Sequence, residues 1–159
     1  MNKHDNFLRE YVFSLVLGGQ VKNAINQIKR SNNSNFFEGD LLLALESITK
    51  KNYKQAEKRL KKLLAYQENE AYEFVIIKIL ESYNYLFLNS KIKKNSRNLG
   101  RIDLITSSFQ NCYLGTKKTE SNFLNLINSS ENEYSRYLFF HLGNIIEKKD
   151  YELVNEISK

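Results

Sequence analysis

The strongest ligating and nucleophilic side chains in this sequence are His4, Cys112 and His141, and they stand far apart. A structural zinc site draws four nitrogen or sulfur ligands from closely spaced pairs, and no such pairs exist here. A lone cysteine forms no disulfide within the chain. In "QNCYLG" it reads as a small buried side chain. His141 sits in the apolar run "YLFFHLGNII", which predicts a satisfied helix histidine rather than a ligand or a base. The carboxylate pairs Glu68/Glu70 and Glu131/Glu133 fall at expected helix starts. Negative charge is favoured there by the helix dipole. No glycine-rich phosphate loop is present. No serine has a His–acid pair nearby in sequence. The sequence therefore carries no catalytic, metal or cofactor set, and it predicts a non-enzymatic protein.

Elements that would position any binding surface come next. At 159 residues the chain suits one domain with a proper core. Proline is absent and only six glycines occur, too few turn formers for a strand-rich fold. An all-α fold is expected. Net charge is +6, a sign that suits nucleic acid or an anionic surface. However, 18 of the 24 cations are lysine and 20 residues are asparagine, the bias of an AT-rich genome. No segment holds the roughly 18 uninterrupted apolar residues of a spanning helix. The first 19 residues mimic a signal peptide, but Asp5 and Glu10 interrupt the basic region and no Ala-x-Ala-like site follows. The expected location is cytoplasmic, or periplasmic if a signal peptide lies upstream.

Helical periodicity is plain along the chain. Phe7, Leu8, Tyr11, Val12 and Leu15 recur at spacings of three and four, and Gly18-Gly19 ends that helix. Val21, Ala24, Ile25 and Ile28 mark a second. Leu41, Leu42, Leu45 and Ile48 mark a third. Asn52, with Gln55 in capping-box spacing, opens a fourth, whose outer face carries Lys54, Lys58, Lys61 and Lys62. Residues 70–89 are apolar almost all round and need covering by neighbours. The stretch 89–100 is basic and polar and reads as an exposed loop. Further helices are expected from 101, over 119–128, from a Ser130/Glu133 capping box to about Lys148, and after Asp150.

One signature occurs twice: "KKNY" at 50–53 and "KKDY" at 148–151. Ala24 and Ala56 stand 32 residues apart, and Val154 follows 98 residues after Ala56. A helix–turn–helix period near 32 to 33 is a solenoid signature. "YVFSLVLGGQVKNAI", through Gly19, Val21 and Ala24, resembles the tetratricopeptide repeat. So do "LLALESITKKNYKQAEKRL", through Leu43, Ala44, Tyr53, Ala56 and Leu60, and "LGNIIEKKDYELV", through Leu142, Gly143, Ile146, Asp150 and Tyr151. The order of weak repeats is similar to that of degenerate tandem-repeat proteins of alphaproteobacteria. The resemblance implies a short right-handed α-solenoid of eight or nine helices in one repeat domain over 1–159. Clear repeats would span 5–34 and 37–68, an irregular part 69–130, and a last hairpin 131–159. It also implies that Tyr53 and Tyr151 plug the turns, and that the chain is a segment of a longer array.

The same resemblance implies a concave groove lined by first helices. Carried over by position, the groove residues are Arg9, Phe13, Val16 and Leu17, then Leu41, Leu45, Ile48 and Thr49. Most are apolar, which suits a hydrophobic or amphipathic peptide, unless helix 70–89 covers them. The Lys/Asn clamp by which chaperone-binding relatives hold a terminal carboxylate is missing. The expected function is a scaffold or adaptor contacting a protein or peptide. The alternative is an RNA-binding solenoid using Lys91, Lys93, Lys94, Arg97 and Arg101.

Overall fold

A computed structural model describes residues 3–31, 35–66, 71–93, 99–128 and 136–157. All regular structure among them is helical: α1 (Lys3–Leu17), α2 (Val21–Arg30), α3 (Phe37–Thr49), α4 (Tyr53–Leu63), a 3-10 turn (Leu64–Tyr66), α5 (Ala71–Asn89), α6 (Arg101–Tyr113), α7 (Lys118–Asn128), α8 (Arg136–Glu147) and α9 (Tyr151–Ile157). No described helix is long and apolar enough to cross a membrane. The capping box at Ser130 and Glu133, the carboxylates Glu68, Glu70 and Glu131, and the loop cations Lys94 and Arg97 lie outside the described residues.

Two compact units divide the chain, residues 1–89 and 90–159, with the boundary in the stretch read as a loop. In the first, α1 and α2 form a hairpin, α3 and α4 form a second, and α5 packs on α4. In the second, α6 pairs with α7, α7 packs on α8, and α8 pairs with α9.

The hairpins share one turn. In α1–α2, the Gln20 N–H reaches back to the Leu15 carbonyl (2.8 Å) and the Gly19 N–H to Val16 (3.0 Å). Gly19 sits at φ +72°. This is the Schellman arrangement, which ties off the last carbonyls of a helix through one left-handed residue. The same pair of bonds occurs three more times: from Asn52 to Ser47 and Lys51 to Ile48, from Thr116 to Asn111 and Gly115 to Cys112, and from Asp150 to Ile145 and Lys149 to Ile146. Lys51, Gly115 and Lys149 hold φ near +60°, at 60°, 61° and 61°. In these four turns the left-handed residues are Gly19, Lys51, Gly115 and Lys149. The "KKNY" and "KKDY" echo marks this turn, with lysine where glycine is the ordinary choice.

Packing in the first unit follows the periodicity. Val12, Leu15, Ala24, Ile25, Ile28, Phe36 and Leu43 form one buried cluster, and Phe37, Ala44, Leu60, Leu63 and Ile77 form a second. Ala24, Ala44 and Ala56 are wholly buried, as small residues at helix crossings must be. Asn52 caps α4, its side chain accepting from the Gln55 N–H (3.3 Å). Asp40, almost fully buried on α3, accepts from the Tyr66 hydroxyl and from Lys62, each at 2.8 Å. Tyr53 is half-buried against the Phe87 ring of α5 (5.7 Å), and Asn84 donates to the Tyr53 carbonyl (3.1 Å).

The second unit departs from expectation. Ile102, Leu104, Ile105 and Phe109 mark an apolar face on α6, yet its most buried residues are Thr106, Ser108, Gln110 and Asn111. For Ser108 and Asn111, local carbonyls take the hydrogen bonds. Ser108 Oγ donates to Leu104 O (2.8 Å), and Asn111 Nδ2 to Ser107 O (2.8 Å). Tyr151 plugs no turn: it is 60 % exposed, and no ring among the described residues stands against it as Phe87 does against Tyr53. Gly143 marks no close crossing, since a Cβ built there meets nothing within 4 Å. Leu142 and Val154 are half-buried.

Candidate functional site

The eight positions expected to form a groove do not gather in one place. Arg9 on α1 is ion-paired with Glu38 on α3, and its guanidinium lies 5.8 Å from the Phe13 ring. The hydrogen bond to Glu38 raises the Arg9 pKa further. Phe13 and Leu17 face solvent, Leu17 almost entirely. Val16 packs into the first core cluster. Leu41 packs against the second. Ile48 is half-buried.

Leu45 and Thr49 do line an open cleft, between α2 and α3, of about 460 Å³. Its walls are Val21, Lys22, Ile25 and Asn26 from α2, and Leu42, Leu45, Glu46, Thr49 and Lys50 from α3. Ile25 is buried and Leu42 half-buried, and both also pack against the core. Val21 and Leu45 are about two-fifths exposed, at 41 % and 39 %. The cleft is therefore apolar and continuous with the core beneath it.

Its polar rim is mostly positive. Glu46 is gripped by Lys29 of α2 (2.7 Å) and by Lys50 (2.6 Å). Hydrogen bonds from Lys29 and then Lys50 hold its carboxyl below the ordinary carboxylate value. The Lys29–Glu46 pair also bridges the two hairpins. Lys22 has no ion-pair partner among the described residues.

The second-helix half of this cleft was not expected, because the family resemblance assigns the groove to first helices alone. A usable signal was present in the sequence: Val21 and Ile25 stand one turn apart on α2, and Leu42, Leu45 and Thr49 recur along α3.

The side chains with chemical potential lie in the second unit. His141 is fully buried, with both ring nitrogens unpartnered and the ring 5.9 Å from Phe123. It is not the satisfied helix histidine that the sequence suggests. Burial lowers its pKa, Glu120 raises it and Lys148 lowers it. Cys112 is half-buried and accepts from Asn144 Nδ2 (3.4 Å). Burial pushes its thiol pKa up, away from the nucleophilic thiolate. Among the described residues, no three His, Cys, Asp or Glu side chains gather as a metal site would require. No protein family, no characterised protein and no solved structure matches this chain.

Proposed function

We propose that this protein is a non-catalytic helical-repeat scaffold, tetratricopeptide-like and right-handed in its stacking, that holds a protein partner on its surface. The observation that carries this reading is the α2–α3 cleft, apolar and open, framed by two successive hairpins with the same turn. Surfaces of this kind take amphipathic segments, whose apolar side chains supply the affinity. The RNA alternative needs cations and aromatic rings together on one face. Instead, Lys61 and Lys62 of the α4 stripe and Lys78 of α5 are tied to carboxylates of this chain. The test is chemical crosslinking in an extract of the source cells, with and without ribonuclease. The expected result is a discrete protein adduct that ribonuclease does not remove. Recovery of RNA alone, with affinity that falls steeply as salt rises, would overturn the proposal.

A further inference from the structure

The α2–α3 cleft has a chemical polarity that narrows what it receives. Its floor, Ile25 and Leu42, and its mouth, Val21 and Leu45, are hydrocarbon, and the polar groups Asn26 and Thr49 stand on the walls. Such a floor asks for an aliphatic or aromatic anchor. Around it stand Lys22 and Lys50, with Lys29 reaching in through its pair with Glu46. Three ammonium groups face one carboxylate, so the rim keeps a net charge of +2. Lys50 is largely exposed and is shared rather than buried in its ion pair, and Lys22 has no ion-pair partner among the described residues.

We propose that this cleft docks an acidic amphipathic helix of another protein, with one apolar side chain on Ile25 and Leu42 and carboxylates beside Lys22 and Lys50. The inference rests on the scaffold reading and adds the partner's chemistry to it. A second copy of this chain is a poor occupant. At +6 it brings like charge to a positive rim, and like charges facing each other oppose association. An acidic segment gains from the same field twice, through faster encounter and through two new ion pairs.

Two fluorescein-labelled model helices of equal length test this. Both carry leucine and phenylalanine along one face. One has glutamate on the remaining positions, and the other has lysine. Fluorescence anisotropy should show the acidic helix binding at least ~10-fold more tightly, with affinity falling between about 0.05 M and 0.5 M salt. Leu45→Asp should weaken it by roughly 10-fold or more with helicity unchanged by circular dichroism. A Lys22→Glu/Lys50→Glu double variant should reverse the preference in favour of the lysine helix, because it takes the rim from +2 to −2. Equal affinity for both, no binding by either, or acidic-helix binding untouched by Leu45→Asp would each overturn the inference. A crosslinked cellular partner whose yield is unaffected by Leu45→Asp would also overturn it while leaving the scaffold reading standing. Absence of any crosslinked protein would remove both.

Discussion

Replacing Lys51 by glycine should stabilise the protein, although it removes a long side chain from a helical hairpin. Lys51 holds φ at +60°, and its N–H closes the turn on the Ile48 carbonyl at 2.9 Å. An L-residue in that conformation is strained by about 1–2 kcal/mol, because Cβ crowds the backbone. Glycine escapes the strain but loses roughly 0.5–1 kcal/mol more backbone entropy on folding. The difference is a net gain of about 0.5–1 kcal/mol. With a urea m-value of about 1–3 kcal/mol/M, the midpoint should rise by roughly 0.2–1 M with the slope unchanged. Far-UV circular dichroism during urea titration reads this directly. Lys149→Gly should behave alike, since its φ is +61° and its bonds are the same. Lys58→Gly, on the exposed back of α4, should lose about 1 kcal/mol instead. If Lys51→Gly destabilises as Lys58→Gly does, the left-handed turn is not formed there and the repeat register built on it fails.

His141 gives the pH dependence. Its folded pKa lies below the ordinary 6.5, so on acidification the unfolded chain takes up this proton first. Stability contributed by the neutral ring is therefore complete above that value and is lost as pH falls through it, at no more than about 1.4 kcal/mol per pH unit. His141→Leu should flatten this loss between roughly pH 7 and pH 5 in a urea series; an unchanged slope would refute it. The carboxyl of Glu46, whose pKa is lowered, sheds its contribution only as pH drops below the ordinary 4.5, so its loss stays visible in that variant. Gly143→Ala should stabilise by about 0.5–1 kcal/mol, because α8 gains a helix former and the new methyl meets nothing within 4 Å; a loss in thermal unfolding would show a crossing helix after all. Ala56→Leu should cost about 1–3 kcal/mol by overpacking a wholly buried site, seen as a lower urea midpoint.

What could be read from the sequence depended on how local its cause is. Helix ends and the shared turn were legible, because Gly18-Gly19 and the Asn52–Gln55 pair act within a few residues of themselves. The small residues Ala24, Ala44 and Ala56 were legible through the repeat spacing and the family resemblance, not through any local cause. Burial of Thr106, Ser108, Gln110 and Asn111 was not, since periodicity arguments look for apolar side chains. Ser108 and Asn111 instead donate to carbonyls one turn away on α6. The exposure of Tyr151 and the half-burial of Tyr53 follow from whether another helix lies against the turn, which the shared tetrapeptide does not encode. Of the site, Leu45 and Thr49 were named in advance, but Val21, Lys22 and Ile25 were not. Their role arises from how α2 meets α3, a tertiary pairing sustained in part by Lys29 and Glu46.

Site-specific photo-crosslinking tests most directly whether the α2–α3 cleft is the scaffold's docking surface. A benzophenone side chain placed at position 45 in the cleft should capture a discrete protein adduct in the source cells. The same group at position 58, on the exposed back of α4, should capture none. Equal capture at both positions, or none at position 45, would contradict the account.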